Sequence, residues 1–332
     1  MKILVTGSAG FIGFHLSRLL LENGYEVIGV DNYNDYYDPT LKRRRTALLQ
    51  NTNRAFTQIE CDISSKDFNE QISLHHPSII IHLAAQAGVR YSIDNPEAYV
   101  NSNLVGTFRI LELAKDLKVS HLLIASTSSV YGANTDMPFS EQQKCDTQIS
   151  FYAATKKSNE SMAHSYSHNY GIPTTMFRFF TVYGPWGRPD MALFKFTKNI
   201  LSGKSIDVYN NGEMSRDFTF VEDLVKSIEL LIDKTPSQEP VGIFDSLSEV
   251  APFRIVNIGN SKPIALMEYI KTLEEELGCT ANINFMPMQQ GDVQATASNI
   301  DLLYALTNYK PTTTIKEGVR SFVKWYKKEY NL

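Results

Sequence analysis

A tyrosine and a lysine in the stretch YAATK are the first residues whose spacing predicts chemistry. Tyr152 and Lys156 lie four residues apart, which places both side chains on one face of a helix. A tyrosine with an ordinary pKa of about 10 is a poor base at neutral pH, but a neighbouring ammonium group favours its phenolate form. The pair predicts a base that takes a proton from a substrate hydroxyl, although the same spacing is also common in surface pairs.

A run of hydroxyl residues is the second chemical feature. The stretch IASTSSVYG leads an apolar strand into Ser126, Thr127, Ser128 and Ser129, with no carboxylate among them. Small hydroxyl residues at a strand end are typical of a plain turn. These side chains cannot serve as a general acid or base at neutral pH, so any role they have is in binding and orientation.

A glycine-rich turn indicates a nucleotide site, although a plain strand–helix turn has the same composition. TGSAGFIG places Gly7, Gly10 and Gly13 between the first predicted strand and the first helix, where bare backbone can approach a pyrophosphate. Asp31 ends the second predicted strand, 18 residues after Gly13. A carboxylate there accepts hydrogen bonds from both ribose hydroxyls and repels a 2′-phosphate, which favours NAD over NADP.

These residues require a sheet that brings several strand ends together. Strands are predicted at KILVT, YEVIGVD, FTQIECDI, SIIIHLAA, HLLIAST and PTTMFRFF, with helices between them, including 96–117 and 152–170. Continuous apolar runs predict a parallel sheet covered on both faces, the doubly wound α/β (Rossmann) fold, which binds its ligand at the carboxyl ends of the strands. The acid of CDI, Asp62, is then placed to reach an adenine amino group, and the small residues of LAAQAG permit close cofactor packing.

The pattern changes after Phe180. The next stretch is rich in Pro, Gly and aromatic residues, and later helices, predicted at 222–233, 264–277 and 315–327, alternate with short strands. We therefore predict an NAD-binding domain over 1–180, to which some later segments return. A smaller C-terminal α/β substrate domain is predicted over 181–332.

Composition limits the possible partners and the compartment. The 332 residues carry a net charge of −4, which gives no bulk reason to expect nucleic acid or an anionic membrane as partner. The three cysteines are far apart in sequence, which argues against a disulfide framework or zinc site and favours a reducing cytoplasm. We expect no signal peptide before MKILVTGSAG, and no apolar run approaches the length of about 20 residues that a membrane span needs.

Six motifs together resemble the extended short-chain dehydrogenase/reductases, and within them the NAD-dependent epimerase/dehydratase family. The motifs are TGSAGFIG, HLAAQAGVR, STSSVYG, YAATK, RFFTVYGPWGRPDM and RDFTFVEDL, and the resemblance covers nearly the whole chain. It implies a catalytic triad of Thr127, Tyr152 and Lys156, in which Thr127 bonds the sugar O4 and Lys156 also holds the nicotinamide ribose. It implies a tightly bound NAD, regenerated in each cycle, in contact with Gly7, Gly10, Phe11, Ile12, Gly13, Asp31, Asn32, Asp62, Ile63, Leu83, Ala84, Ala85, Gln86, Asn103, Ser126, Tyr152, Lys156 and Phe179.

The resemblance also gives meaning to the missing acid. Dehydratases of the family carry Asp-Glu directly after the triad Thr, and the UDP-glucuronate decarboxylases carry Glu at the position of Ser129. Here both positions are serine, Ser128 and Ser129. The resemblance therefore implies epimerisation at C4 through a transient 4-keto sugar.

Two further stretches, DNYNDYYDPTLKRRR and YGPWGRPDMALFKFTKNI, resemble family members that act on UDP-glucuronate. Galactose-type members carry Asn at the position of Thr181. The implied reaction converts UDP-glucuronate to UDP-galacturonate. The implied substrate contacts are Arg90, Thr127, Ser128, Ser129, Tyr152, Thr181 and Arg188 at the sugar, Arg216 at the diphosphate and Asp292 at the uridine ribose. Three alternatives stay open: a UDP-glucose 4-epimerase, a UDP-glucuronate decarboxylase and an NAD-binding regulator without activity.

Three remaining features are assigned structural or surface roles. His164 and His168 have the spacing of metal ligands but lack an acidic partner, so we predict no metal site. LKRRR is predicted to form a solvated helix face or an adenosine-side contact. The helices at 96–117 and 152–170 carry apolar residues for the core or a second copy, and the resemblance implies a homodimer through a four-helix bundle.

Overall fold

The computed structural model describes residues 1–52, 55–236 and 239–332. Its strands are β1 (Lys2–Thr6), β2 (Glu26–Asp31), β3 (Phe56–Glu60), β4 (Ile79–His82), β5 (His121–Ala125), β6 (Thr174–Phe179), β7 (Thr181–Tyr183), β8 (Ser205–Val208), β9 (Ser215–Phe220), β10 (Phe253–Ile258), β11 (Pro263–Ala265) and β12 (Asn282–Phe285).

The α-helices lie between these strands and after them. They are α1 (Phe11–Glu22), α2 (Pro39–Thr52), α3 (Phe68–Ser73), α4 (Tyr91–Asp94), α5 (Pro96–Tyr99), α6 (Gly106–Leu117), α7 (Phe151–Tyr170), α8 (Ala192–Leu201), α9 (Val221–Leu231), α10 (Leu266–Leu277), α11 (Asp301–Thr307) and α12 (Ile315–Glu329). A π-helical segment, Val100–Val105, joins α5 to α6, and Ser128–Tyr131 and Tyr209–Gly212 form short 3-10 turns.

Seven strands form one parallel sheet in the order β10-β6-β5-β4-β1-β2-β3. Every residue of β4 and β5 is buried, which explains why their sequences are continuously apolar rather than alternating. The predicted doubly wound fold is confirmed. The strand order reverses between β1 and β4, and parallel strands all end at one edge, so the glycine turn, Asp31 and the hydroxyl stretch meet there.

Helices cover both faces of the sheet. On one face, Phe14 and Leu20 of α1 pack with Leu224 and Ile228 of α9. On the other, α6 and α7 supply a second apolar cluster that includes Ile110, Leu111, Ala114 and Ala163. The catalytic helix predicted at 152–170 is therefore held directly against the sheet.

The chain after β6 builds two smaller sheets, with strand orders β11-β9-β7 and β12-β8. Their core is aromatic: Phe218 and Tyr269 stack with ring centroids 4.3 Å apart, and Tyr183 packs edge-on against both. Part of this later chain returns to the large sheet, because β10 is its edge strand beside β6 and α9 packs on α1.

The structure differs from the predicted elements in three places. The helix expected at 264–277 begins only at Leu266, because Ile264 pairs with Arg216 as part of β11. The helix expected at 96–117 contains the π-helical Val100–Val105. The LKRRR stretch is not simply a solvated face, because Arg45 is fully buried.

Candidate active site

One cavity of about 880 Å³ opens at the carboxyl edge of the large sheet and is bounded on its far side by the smaller sheets. It is lined by the predicted residues Gly7, Gly10, Phe11, Ile12, Gly13, Asp31, Asn32, Asp62, Ile63, Leu83, Ala84, Ala85, Gln86, Arg90, Ser126, Thr127, Ser128, Ser129, Tyr152, Lys156, Phe179, Thr181, Arg188, Arg216 and Asp292. Of the predicted residues only Asn103 does not line it. Sequence positions 7 to 292 thus converge on one space.

The glycine turn forms a tight bare-backbone wall. Gly7 has a φ of +72°, and its N–H donates to the Val30 carbonyl over 2.7 Å. A Cβ atom on Gly7 would lie 2.9 Å from the Ala84 nitrogen, and one on Gly13 only 2.0 Å from the Gly7 oxygen. Side chains at these positions would fill the cradle, so glycine is needed for the turn to pack against Ala84 and leave the start of α1 open to the cavity.

Asp31 is held by backbone on both of its oxygens. Oδ2 accepts from the Ala9 N–H at 3.1 Å, and Oδ1 accepts from the Tyr33 N–H at 2.9 Å. Burial raises the pKa of this carboxyl, while the two backbone N–H groups and the Lys42 and Arg45 charges act against that rise. Each carboxylate oxygen keeps a further lone pair with which to accept from a ligand hydroxyl.

Asn32 and Asp62 form a pair at the ends of β2 and β3. The Asn32 side-chain amide donates to Asp62 Oδ2 over 2.8 Å, and the Ser64 N–H donates to Asp62 Oδ1 over 2.8 Å. Burial opposes ionisation of Asp62, but the Ser64 and Asn32 hydrogen bonds outweigh it and hold its pKa below the usual value. An ionised acceptor therefore lines the cavity beside Asp31.

Asn103, which was predicted to contact the cofactor, does not line the cavity. It is buried behind the cavity, where its side-chain oxygen accepts from the Gln86 N–H at 2.8 Å and its amide donates to the Gln86 carbonyl at 3.1 Å. The same amide donates to Thr155 Oγ1 of α7 over 3.0 Å. Asn103 thus ties the loop after β4 to the helix of Tyr152 and Lys156.

The tyrosine–lysine pair lies in the first turns of α7. Ser150 caps this helix by accepting from the Ala153 N–H at 3.1 Å, which sets where Tyr152 enters the cavity. Lys156 is only 3 % exposed, and burial lowers its pKa to about 8, against the opposing effect of Glu160. Burial raises the pKa of Tyr152, while a hydrogen bond with Thr127 and the Arg188 charge act to lower it. The Arg188 charge therefore favours the phenolate form of Tyr152.

The four hydroxyl residues divide into two groups. Ser126 donates to Glu160 Oε1 over 2.7 Å and is tied into the protein. Thr127 caps the short turn that follows, accepting from the Ser129 N–H and donating to Ser129 Oγ, each at 3.2 Å. Thr127, Ser128 and Ser129 therefore present their hydroxyls on one small turn beside Tyr152.

A buried ion pair under this turn was not found by sequence reasoning. Arg178 of β6 donates from Nε and Nη2 to the two oxygens of Glu160, each over 2.9 Å. Burial opposes ionisation of Glu160, but Arg178 outweighs it and keeps the pKa of that carboxyl low. The available signal was the spacing, because Glu160 follows Lys156 by one helical turn.

At the sugar end predicted from sequence, Arg188 is paired rather than free. Its Nε and Nη2 donate to the two oxygens of Asp190 over 3.0 and 2.5 Å. The Tyr36 hydroxyl donates to the same carboxylate over 3.3 Å. Asp190 and Tyr36 also line the cavity, and neither was predicted as a site residue.

The far end of the cavity carries an excess of positive charge. Arg216 donates from Nη2 to Asp292 Oδ1 over 2.8 Å, and Arg90 lies 3.5 Å from the other oxygen of Asp292. Two arginines thus share one carboxylate, which favours an anionic ligand group at this end. The structure brings together Arg216 and Asp292, which were predicted for the diphosphate and uridine contacts, and it places beside them Arg90, which was predicted at the sugar.

His164 and His168, whose spacing is that of metal ligands, have other partners in the structure. Among the described residues, no group of three or more His, Cys, Asp or Glu side chains is arranged to hold a metal ion. His164 bonds Ser248 Oγ over 2.8 Å, and His168 bonds the Val250 carbonyl over 2.7 Å. In the described part of the chain, none of the helices has the length and apolar character that crossing a membrane requires.

The comparisons of the sequence and of the structure with known proteins agree with one another. Residues 3–245 match the model of the NAD dependent epimerase/dehydratase family. The chain is 53 % identical over 336 residues to a probable UDP-glucuronate 4-epimerase of Rhizobium meliloti, covering 99 % of this chain and 98 % of the relative. UDP-glucuronate 4-epimerase 4 of Arabidopsis thaliana is 45 % identical and is covered over 76 % of its length, with 100 % of this chain matched.

Among solved structures, the fold is similar to UDP-glucuronic acid 4-epimerase from Bacillus cereus in complex with UDP-glucuronic acid and NAD. The TM-score is 0.89 at 32 % identity, over 99 % of this chain and 100 % of the other. A UDP-glucose 4-epimerase with UDP-glucose from Thermotoga maritima gives a TM-score of 0.85 at 29 % identity, over 99 % and 100 % of the two chains.

Proposed function

Because the chain belongs to the NAD-dependent epimerase/dehydratase family, we propose that it inverts C4 of UDP-glucuronate to give UDP-galacturonate. One observation carries this reading: Tyr152 and Thr127 share the cavity with Ser128, Ser129 and an arginine. The turn offers hydroxyl groups to a sugar carboxylate and carries no acid that could drive dehydration. Of the alternatives weighed from the sequence, this one uses every polar group around the turn.

The cofactor is NAD, and the residues at the start of α1 and the end of β2 fit it. The cradle made by Gly7 and Gly13 admits a pyrophosphate against the helix N-terminus, and Asp31 offers acceptors for two ribose hydroxyls. When bound, NAD supplies the oxidant and the reductant for C4, taking a hydride from one face of the sugar and returning it to the other. We propose that NAD stays bound between turnovers, since its state is restored in each cycle.

Tyr152 is the residue that we propose moves the proton. Its phenolate takes the O4 proton as C4 becomes a ketone, and the phenol returns that proton when C4 is reduced. Thr127, which lines the cavity beside Tyr152, orients the reacting hydroxyl. Lys156 holds the nicotinamide ribose and, while protonated, favours the phenolate form.

Between the two half-reactions the 4-keto sugar must turn over while its nucleotide stays in place. We propose that Arg216 and Arg90 hold the diphosphate, with Asp292 at the uridine ribose, so that the sugar alone swings about its diphosphate link. The cavity of about 880 Å³ is lined by residues proposed for the cofactor and by residues proposed for the substrate, which supports this arrangement. In this division residues 1–180 hold NAD, and residues 181–332 hold the nucleotide-sugar together with Arg90 and the catalytic residues of the first domain.

A uronate substrate adds a hazard that the hydroxyl turn is placed to control. Oxidation at C4 creates a β-keto acid, in which the C5–C6 bond can break, leaving its electron pair with C5 and the carbonyl and releasing CO₂. We propose that Ser128, Ser129, Thr181 and Arg188 hold the carboxylate in the plane of the bond that joins C5 to the ring. In that orientation the breaking bond is not aligned with the carbonyl π system.

Homodimer formation and a cytoplasmic location belong to the same proposal. Val100, Val105 and Phe108 stand 37–39 % exposed along the segment before and within α6, and Phe151 at the start of α7 is 39 % exposed. A second copy packed on these two helices would cover them. The three cysteines are free thiols, which fits a reducing compartment.

The function is tested by incubating the purified protein separately with UDP-glucuronate and UDP-glucose and following the anomeric proton signals by NMR. We expect UDP-glucuronate to give a UDP-galacturonate signal without UDP-pentose, and we expect little change in the signals of UDP-glucose. UDP-pentose as the main product would make the protein a decarboxylase. Conversion of UDP-glucose alone would make it a hexose epimerase, and no change in either would support the regulator.

A further inference from the structure

The segment 33–45 of the chain lies across the loop 186–190 that carries Arg188. The Tyr36 hydroxyl donates to Asp190, and the Arg45 guanidinium donates to the carbonyls of Trp186 and Gly187. These contacts join the first third of the chain to the sugar end of the cavity. None of them belongs to the triad or to the glycine turn.

Arg45 anchors this junction from inside the protein. It is fully buried, and within the described residues it forms no ion pair with a carboxylate. Its Nη1 donates to the Ala9 carbonyl of the glycine turn over 2.9 Å and to the Tyr37 hydroxyl over 2.8 Å, while Nη2 donates to the Trp186 carbonyl over 2.6 Å. The Arg45 side chain therefore joins the glycine turn to the loop that carries Arg188. It fixes the position at which that loop begins.

Asp190 then sets the direction of Arg188. A guanidinium has two edges that can each receive a carboxylate, one formed by Nε and Nη2 and the other by Nη1 and Nη2. Asp190 occupies the Nε–Nη2 edge, which leaves the Nη1–Nη2 edge for a ligand. Arg188 packs over the Tyr36 ring, with its guanidinium carbon 5.9 Å from the ring centroid, which restricts it from another side.

The pairing also changes the charge that a ligand meets. An arginine that is paired with a carboxylate on one edge attracts an anion less at long range. It binds most strongly a ligand that accepts two hydrogen bonds from the remaining edge. A uronate carboxylate can do this, whereas the neutral hydroxymethyl group of a hexose cannot. Arg188 and Asp190 are half-buried, with side chains 20 % and 24 % exposed, and this partial shielding strengthens the discrimination, because a mismatched polar group there would lack a full set of partners.

We propose that Tyr36 and Asp190 are positioning residues that set the orientation and the effective charge of Arg188, and so select a uronate over a neutral hexose. The inference rests on the proposed function, because Arg188 is taken to meet the sugar carboxylate. It adds that selectivity at the sugar end is set in part by a segment, 33–45, that follows the second strand of the nucleotide-binding sheet.

The test compares Asp190→Asn and Tyr36→Phe with the wild type on UDP-glucuronate. Asp190→Asn leaves Arg188 charged but free to turn, so we expect kcat to fall by about tenfold, the effect of one lost charge-assisted hydrogen bond, while KM changes little. The share of UDP-pentose should rise, because a mobile arginine no longer keeps the carboxylate in the ring plane. Tyr36→Phe should also lower kcat and raise the share of UDP-pentose, each by a smaller factor than Asp190→Asn.

Glu276→Gln is the matched control, because it removes a bidentate carboxylate–arginine pair, with Arg320, on the surface between α10 and α12. It should leave kcat, KM and product ratio unchanged. NAD content and the melting temperature of each variant show whether it is folded, and Tyr36→Phe, which removes one hydroxyl, serves if Asp190→Asn is unfolded.

The outcomes separate the two proposals. A wild type that does not convert UDP-glucuronate overturns the proposed function. If the wild type is active but both variants match Glu276→Gln in kcat and pentose share, the positioning role is wrong while the function stands. Equal loss of binding for UDP-glucuronate and UDP-glucose, measured by calorimetry, would show a merely structural role and also overturn the inference.

Discussion

The two ends of the cavity are built in different ways. The cofactor end is a wall of backbone and small residues, in which Gly7 and Gly13 pack on neighbouring main chain and Asp31 is held by two backbone N–H groups. The substrate end, from the sugar to the nucleotide, is a set of charged side chains that pair with one another, Arg188 with Asp190 and Arg216 with Asp292. Backbone walls tolerate no added atom, whereas side-chain pairs can reorganise around a ligand. The two ends should therefore respond differently to substitution.

Tyr152→Phe should have the largest effect on kcat and should leave ligand binding at both ends of the cavity intact. Removing the phenolic oxygen removes the proposed base, and general acid–base catalysis contributes a factor of about 10² to 10⁴ to a rate. We expect kcat to fall by about 10³ while NAD content and UDP-glucuronate binding, measured by absorbance and calorimetry, stay near wild type. A variant that loses binding at either end would show that Tyr152 shapes the cavity rather than moving the proton.

Gly13→Ala should break the cofactor end alone. The added methyl group would lie 2.0 Å from the Gly7 carbonyl oxygen, so the turn must open. Overpacking of this kind costs about 1–3 kcal/mol, so NAD affinity should fall by about 10- to 100-fold while UDP still binds, both measured by calorimetry.

Gly171→Ala is the control for that substitution. Gly171 has a positive φ of +65°, so alanine there is strained, but a Cβ atom on it meets nothing within 4 Å. It should lose some stability and keep its NAD affinity. Equal NAD loss in both variants would mean that the effect comes from general destabilisation.

The pH dependence tests the lysine at the junction of the two ends. The Lys156 pKa is lowered to about 8 in the folded protein, so its ammonium form is present below that pH and is lost as the pH rises through it. We expect kcat, measured with NAD-loaded enzyme, to decline above about pH 8. Lys156→Arg, which stays protonated, should be slower but should lack this alkaline decline; an unchanged decline would assign it to another group.

Ser129→Ala should have the smallest effect on rate and a visible effect on products. The hydroxyl bonds Thr127 in the structure, and at the sugar end its proposed role is to orient the carboxylate. We expect kcat to fall only a few-fold, by about 1 kcal/mol, with an increased ratio of UDP-pentose to UDP-galacturonate in the NMR assay. An unchanged product ratio would refute the proposed protection against decarboxylation, and Ser158→Ala, on the exposed side of α7, is the control.

Sequence reasoning was strongest at the cofactor end and weaker at the sugar end. The strands of the parallel sheet, the glycine turn and Asp31 follow from local patterns, because each depends on backbone conformation or on position relative to one strand. Asp190 and Tyr36 carry no such pattern. They lie 154 residues apart in sequence, and their contact depends on how the segment 33–45 folds over the later loop.

Asn103 and Arg45 are buried residues whose partners the sequence likewise does not predict. Asn103 was predicted to contact the cofactor, but it lies behind the wall and holds Gln86, which no spacing indicates. Arg45 reads as part of a solvated basic run, yet it is buried because four oxygen acceptors, from Ala9, Tyr37, Trp186 and Gly187, meet at its guanidinium. Burial of a charge depends on acceptors supplied from elsewhere in the chain.

By itself the sequence determined the parallel sheet, the glycine cradle, the tyrosine–lysine helix and the absence of an acid after Thr127. These follow from periodicity, residue type and short spacing, which act within one or two elements. Only the tertiary structure decided which charges face each other, that Arg188 is paired with Asp190, and that Arg178 and Glu160 support the hydroxyl turn. Hydrogen bonds between distant elements depend on distance and angle, and those are set only when the whole chain is packed.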